Sequence, residues 1–401
     1  MNKTTRSCPC PFRGARALAA LALAAGGLGS CSSAAAPRGD AGAAHFAPSV
    51  PTPLATSVQT SSGTWATIPM GRLDEPLNTF WQLLFLPARA ASWSNQVEAT
   101  ATATNGGLVL SAGGRSLVVG VLPSVDLTFT PLVATSDPER SWSTGLITAE
   151  LAARPDALAS GAGGQWLALI NGRGGAEVMS ALGSLSAWRP LVTRRALAMT
   201  GAGQSCGLGA LTAVGYASGR ALIGGSCNRP GVVGLFAPQG GAWHLAGPSL
   251  PRPWAGGGVE VLALGAQGGA TSALLAVMNG SQTALVAAWS HRAGLWATSA
   301  PFRLGRGEQV ASVGPADGNG LFALLQEPSG PKALMVAGRS TGWQELPSPP
   351  SSTATVAFVG ERVDALSPDG TVLTIWSLSP GADRWARRQL VDVPVQFGSS
   401  S

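Results

Sequence analysis

Arginine is the residue in this chain whose type and placement could do the most chemistry. Arg173, Arg195, Arg229, Arg252, Arg303 and Arg306 stand in short polar or glycine-rich stretches between apolar runs, and Trp254 sits among them in PRPWAGGG. A guanidinium offers a planar fork of donors to a carboxylate or phosphate. An exposed indole offers its face to a sugar or another ring. The set suggests a site for an anionic or saccharide ligand. The plainer alternative is that these are solvated loop arginines, some of them paired with Glu150, Asp156, Glu260 or Glu308.

Catalytic signatures are harder to find. There is no Gly-x-Ser-x-Gly elbow, no His-Glu-x-x-His and no phosphate-binding loop. The three histidines, His45, His244 and His291, are scattered, so acid–base chemistry near neutral pH has few carriers. A glycosidase needs two carboxylates across a cleft, and the spacing of the acids picks out no pair. The cysteines and histidines make no zinc spacing, and no Asp-rich loop points to calcium. No catalytic residue, metal or cofactor is assigned. The densest charged and aromatic stretch, GRLDEPLNTFW (71–81), reads as a loop beside core aromatics Phe80, Trp81 and Phe85.

The elements that must position such a site are short. Only 11% of the 401 residues are charged, and glycine (54) and proline (29) are abundant. Long solvated helices need Glu and Lys on their wet face, so this mix favours many short strands joined by tight turns. The net charge of +6 comes mostly from the N-terminus: residues 1–30 carry four bases and no acid, leaving 22 basic and 20 acidic side chains. With Lys332 the only later lysine and no basic run interleaved with aromatics, a nucleic-acid partner is not expected.

Residues 1–30 read as an export signal. Lys3, Arg6, Arg13 and Arg16 precede an apolar run from Ala17 to Leu28, too short to span a bilayer as a mature helix. The run ends in Leu28-Gly29-Ser30-Cys31, which resembles the bacterial lipobox. That resemblance implies lipidation of Cys31 and a membrane anchor on the outer side of the cytoplasmic membrane or at the cell surface. The alternative is an ordinary secretory signal cut near Ala34–Ala36. Residues 31–64, rich in Ala, Ser, Pro and Thr, read as a flexible tether. Fully extended at ~3.1 Å per residue, the tether would reach ~100 Å. A single domain is expected over 65–397, with a disordered tail at 398–401.

A repeat organises that domain. Apolar run, polar break and tryptophan recur at Trp93, Trp142, Trp188, Trp243, Trp296, Trp343 and Trp385, at spacings of 49, 46, 55, 53, 47 and 42 residues. A period in the forties with tryptophan at one phase is the signature of β-propeller blades. The expected fold is all-β, with four-stranded antiparallel blades. Seven blades are expected, the last apolar run, LVDVPVQF, completing a first blade that is one strand short. The alternative is six blades with residues 65–104 as an N-terminal cap. Each tryptophan would open a blade's outermost strand and wedge against the neighbouring blade. The arginine loops would then gather on the upper face, around the channel mouth.

The stretch Thr135-x-Asp137-x-Glu139-x-Ser141-Trp142 resembles the Asp-box (BNR repeat), the S-x-D-x-G-x-T-W hairpin of sialidases and related bacterial propellers, with Glu139 in place of the glycine. The resemblance implies a sialidase-like fold over 65–397. It does not carry the activity, because Asp-boxes are structural. Sialidases use an arginine triad, a late tyrosine nucleophile with a glutamate partner and an acid/base aspartate. The one tyrosine here, Tyr216, lies mid-chain on an inner strand, and no arginine-isoleucine-proline motif opens the domain.

Of five cysteines, Cys8 and Cys10 leave with the signal and Cys31 takes lipid, so Cys206 and Cys227 are expected to form a disulfide outside the reducing cytosol. They flank a hairpin turning at Ser218-Gly219, with their midpoint about two residues off the turn, so pairing requires a bulge or a looped approach. The sequence therefore implies an exported, monomeric, lipid-anchored propeller that binds a saccharide or protein ligand, or scaffolds, at the bacterial cell envelope. The alternative is a hydrolase or lyase acting on envelope or extracellular polysaccharide.

Overall fold

The computed structural model describes residues 55–71, 79–96, 107–113, 116–121, 132–137, 141–145, 155–172, 175–267, 270–292, 295–316, 320–338 and 340–393. Their strands follow one another in chain order as seven antiparallel units of four. Blade 1 is β1 (Thr56–Thr60), β2 (Gly63–Gly71), β3 (Thr79–Pro87) and β4 (Ser94–Asn95). Blade 2 is β5 (Leu108–Gly113), β6 (Ser116–Val121), β7 (Leu132–Asp137) and β8 (Ser141–Gly145). Blade 3 is β9 (Ala157–Ser160), β10 (Gln165–Gly172), β11 (Gly175–Leu182) and β12 (Arg189–Thr193).

Two short helices, α1 (Arg194–Ala198) and α2 (Gly201–Cys206), lead into blade 4. Thr193 and Thr200 cap them, each hydroxyl accepting a backbone N–H three residues on at 3.1 Å. Blade 4 is β13 (Leu208–Ala217), β14 (Arg220–Cys227), β15 (Gly234–Gln239) and β16 (Ala242–Leu245). Blade 5 is β17 (Gly258–Gln267), β18 (Ala270–Asn279), β19 (Gln282–Arg292) and β20 (Leu295–Thr298), with β21 (Phe302–Arg303) added against β19. Blade 6 is β22 (Gln309–Ala316), β23 (Gly320–Glu327), β24 (Gly330–Val336) and β25 (Gln344–Glu345). Blade 7 is β26 (Thr355–Val359), β27 (Arg362–Asp369), β28 (Val372–Leu378) and β29 (Ala386–Asp392). The protein is a seven-bladed β-propeller.

The core lies between blades rather than inside them. Each of seven apolar clusters joins two adjacent blades, so every sheet is covered on both faces. This is why strands such as β3, β18 and β23 are apolar nearly throughout instead of alternating. Phe80, Trp81 and Phe85 belong to this core.

The tryptophans behave as their phase implies. Each of the seven lies at the start of an outermost strand and packs into the cluster shared with the preceding blade. Three donate the indole N–H to a carbonyl on that neighbour: Trp296 to Ala246 at 2.5 Å, Trp343 to Ala300 at 2.9 Å and Trp385 to Pro347 at 2.8 Å. Trp142 meets Trp65 edge to face at 5.7 Å. In the Asp-box hairpin, Asp137 pairs with Ser141 across the turn, and residues 138–140 lie outside the described set.

Ring closure differs from the expectation. The LVD of LVDVPVQF ends blade 7's own outer strand, β29, paired with β28, and residues 394–397 lie outside the described set. Blade 1 is completed by β1, which falls inside the 31–64 stretch read as tether, so the propeller begins before residue 65. No strand is exchanged between blades 1 and 7 among the described residues, and polar staples join them instead. The Gln389 side chain accepts from Trp93 N–H and donates to Trp93 carbonyl, both at 2.9 Å. Arg388 places two N–H groups on the Ala91 carbonyl at 2.9 and 3.1 Å. The Trp93 indole donates to the buried Asp364 carboxylate at 3.0 Å.

Blades 4 and 5 share one sheet. β14 outruns β15, and its last two residues, Ser226 and Cys227, pair with Glu260 and Val259 of β17. Two irregularities in β13, at Leu208/Leu211 and Leu211/Ala213, take up the offset between the cysteines, and the disulfide Cys206–Cys227 forms with a Cα separation of 4.9 Å.

Candidate functional site: the central channel

A cavity of about 520 Å³ opens among the inner strands. Its wall comes mainly from 56–59 (β1), 108–112 (β5), 156–160 (β9), 210–216 (β13), 260–265 (β17) and 313–315 (β22). An inner strand pairs on one edge with the second strand of its blade. The other edge lies towards the neighbouring blades, and at β17 it pairs with the end of β14.

Six blades, not seven, supply the described wall, because β26 of blade 7 stands behind it. β1 and β22 meet directly: Ala55 bridges Ser312 in parallel, and the Thr56 hydroxyl donates to the Val313 carbonyl at 2.6 Å. β26 is tied in from outside. The Ser57 hydroxyl donates to the Val356 carbonyl at 2.9 Å, the Gln59 amide to the Phe358 carbonyl at 2.8 Å, and Ser312 bonds Thr355 at 2.7 Å. Gly314 permits the close approach of β1 and β22, since a Cβ there would collide with the Phe322 ring and lie 2.9 Å from the Ser57 carbonyl oxygen.

The charged side chains in the described wall are two acids, Asp156 and Glu260. Asp156 precedes β9 and accepts the Asn171 N–H at 2.6 Å. Glu260 is 3% exposed. Ser111 and Ser160 share a hydrogen bond of 3.2 Å, and the Thr212 hydroxyl donates to the Val261 carbonyl at 2.6 Å. Tyr216 packs its ring over Gly161, and burial pushes its hydroxyl up from 10.0 to about 12. That direction is the reverse of what a phenolate nucleophile requires.

The arginines singled out from the sequence do not converge on this cavity. Arg195, Arg229, Arg252, Arg303 and Arg306 are exposed on the connections at the upper ends of blades 3 to 6, and none lines the wall. Arg195 sits in α1, Arg229 between β14 and β15, Arg252 between β16 and β17, and Arg303 and Arg306 before β22. Arg173 lies outside the described residues. Trp254 is no stacking platform: it opens a 3₁₀ turn and is buried in the cluster between blades 4 and 5. An indole fills the space between splayed blades better than any other side chain, and a flexible loop context did not reveal that. Of the acids proposed to pair with these arginines, Glu308 bonds Lys332 at 3.2 Å, while Asp156 and Glu260 stand in the channel wall. The readable signal for the last two was position: each lies beside or within the first residues of an inner strand, in DALAS and GVEVL.

Among the described residues no group of three or more His, Cys, Asp or Glu could hold a metal ion. No described helix is long and apolar enough to cross a membrane.

No family model matches the chain. No curated protein matches it in sequence. Solved structures do resemble it. A protein from Lactobacillus plantarum is 12% identical with a TM-score of 0.47, over 82% of this chain and 96% of that one. A putative 6-phosphogluconolactonase from Bacteroides uniformis is 12% identical with a TM-score of 0.47, over 83% and 97%. YCF48 bound to D1 peptide is 14% identical with a TM-score of 0.43, over 82% and 93%.

Proposed function

We propose that this protein is exported, lipid-anchored through Cys31, and binds a ligand or partner at the bacterial cell envelope through its central channel. The observation that carries the reading is the 520 Å³ cavity, within the size range of small-molecule sites and walled by named polar groups on rigid strands. The basic, apolar and small-residue order of residues 1–31 supports export and anchoring. We read the hairpin ending at Trp142 as a degenerate Asp-box with a structural role, which fits the packing of that indole against blade 1.

A second reading draws on one observation: Asp156 and Glu260 line the same cavity, and a hydrolase or lyase acting on polysaccharide could use two carboxylates. Binding is preferred because Asp156 already accepts a backbone N–H and Tyr216 is held protonated.

Two experiments test the proposal. Metabolic labelling with palmitate in a bacterial host should mark the wild type and not Cys31→Ser. A thermal-shift screen of saccharides, peptides and small ions should yield ligands whose effect is lost in Ala112→Trp, a substitution that fills the channel. Hits that bind Ala112→Trp as well as wild type would place binding elsewhere and overturn the channel reading.

A further inference from the structure

We infer that the upper side of blade 4, with the two helices that lead into it, docks on an anionic lipid surface. The contact is separate from the channel and uses no acyl chain.

The first observation is a segregation of charge. Between Glu177 and Glu260 the chain contains no aspartate or glutamate, so all 20 acids lie outside that stretch. Six arginines lie inside it: Arg189, Arg194, Arg195, Arg220, Arg229 and Arg252. All six are exposed, and among the described residues none has an ion-pair partner. Glu177 stands across from Thr193 at the edge of this region and pairs with none of them. Residues 31–401 hold 22 bases and 20 acids, so without these six the remainder is net acidic, 16 against 20.

The second observation is that four of the six share one surface. Arg194 and Arg195 sit in α1, Arg229 between β14 and β15, and Arg252 between β16 and β17, all on upper connections. These connections interlock. The Arg194 guanidinium donates to the Gly209 carbonyl at 3.3 Å, the Arg229 N–H to the Cys206 carbonyl at 3.0 Å, and the Gly231 N–H to the Gly257 carbonyl at 2.7 Å. The disulfide ties the end of α2 to the end of β14. Cations held together on a braced surface attract an extended anion.

The third observation selects the anion. Met199, which ends α1, is 70% exposed, and its N–H bonds the Arg195 carbonyl at 3.2 Å. An apolar tip among arginines suits the boundary between headgroups and acyl chains, where guanidinium meets phosphate and the thioether leaves water. An acidic polysaccharide would offer Met199 nothing. The chain also enters the propeller from this side: β1 lies parallel to β22, which starts just after the upper connection bearing Arg303 and Arg306. The lipid anchor proposed at Cys31 precedes that entry, so acyl chain and arginines would supply the two signals that stable attachment takes.

The test uses residues 31–401, which contain every described element, with Cys31→Ser so that no acyl chain takes part. Vesicles of equal phosphatidylglycerol and phosphatidylcholine should sediment this chain at low salt. Pure phosphatidylcholine, or about 0.5 M salt, should reduce binding at least ~10-fold. Arg195→Gln with Arg229→Gln should weaken binding ~10- to 30-fold, and the control pair Arg384→Gln with Arg387→Gln, exposed on blade 7, by less than ~3-fold. Circular dichroism checks both folds; if the first pair does not fold, Arg252→Gln replaces it, with a loss of ~5-fold expected. A polarity-sensitive fluorophore on Met199→Cys should shift to the blue on the anionic vesicles, and one on Ser379→Cys, between β28 and β29, should not. No preference for anionic vesicles, or equal losses in the two arginine pairs, would overturn the inference. So would binding to soluble polygalacturonate through these arginines with none to vesicles, which would make an acidic polysaccharide the partner. With no acyl chain present, the result is independent of palmitate labelling at Cys31 and of the channel screen.

Discussion

Replacing Trp93 by phenylalanine removes one N–H from the seam that closes the ring. In the wild type that N–H points at a carboxylate 3.0 Å away on a fully buried Asp364, which also accepts from Arg362 at 3.0 and 3.3 Å and from Ser377 at 2.6 Å. Hydrogen bonds to charged groups contribute roughly 1.5–3 kcal/mol, and the space left by the smaller ring costs about 1 kcal/mol more. The expected loss is therefore about 2.5–4 kcal/mol. Trp343→Phe is the internal control: the same repeat position, the same lost N–H, but a neutral carbonyl acceptor and a half-buried ring. Its bond is worth roughly 0.5–1.5 kcal/mol. Urea unfolding followed by far-ultraviolet circular dichroism measures both without relying on tryptophan emission. A double-mutant cycle with Asp364→Asn isolates the pair, and a coupling of at least ~1 kcal/mol is expected. A coupling within ~0.5 kcal/mol of zero, or equal losses in the two tryptophan variants, would refute the idea that this bond staples the ring.

Reducing the Cys206–Cys227 disulfide, which spans 21 residues, should lower unfolding free energy by ~3 kcal/mol in the chain-entropy treatment, read as a shift of the urea midpoint with and without dithiothreitol. Gly314→Ala should cost ~1–3 kcal/mol, because the added methyl meets the Phe322 ring and the Ser57 carbonyl, whereas Gly342→Ala, with open space at its Cβ, should stay within ~0.5 kcal/mol. The Lys332 ammonium holds the Glu327 carboxyl below its usual 4.5, and Glu327 with Glu308 holds Lys332 above its usual 10.5. A lowered carboxyl contributes stability above its unfolded value and loses it as pH falls through the folded one. A raised ammonium contributes below its unfolded value and loses it as pH rises through the folded one. Lys332→Met should therefore flatten the melting temperature against pH at both extremes, below 4.5 and above 10.5, and leave its shape between them unchanged.

The blades were legible because their marker is local. A tryptophan after a polar break needs only its own hairpin to be recognised, and each hairpin repeats the same packing problem at the same radius. The disulfide was legible for a similar reason, since two cysteines around one turn leave few other partners. The closure was not. TSVQT (56–60) is short, half polar and embedded in Pro- and Thr-rich sequence, so it carries none of the apolar weight by which a buried strand is found. Its burial comes from blades 2, 6 and 7, hundreds of residues away in some cases.

The channel was hidden for a deeper version of that reason. Its wall takes a few residues from each of six strands separated by roughly one blade length, so no window of sequence contains two sides of it. Charge in the loops is easy to see and drew attention to the arginines. Charge among the described wall residues amounts to two acids, Asp156 just before an apolar strand and Glu260 within one, and an acid in such a setting is itself informative. A carboxylate is rarely buried unless something offsets its desolvation. Asp156 stands just before the inner strand β9 and Glu260 is the third residue of the inner strand β17, where the blades converge. In this chain the two acids at that phase of the blade line the described channel wall and the exposed arginines do not, because the inner strands carry the acids there while the arginines stand on the connections.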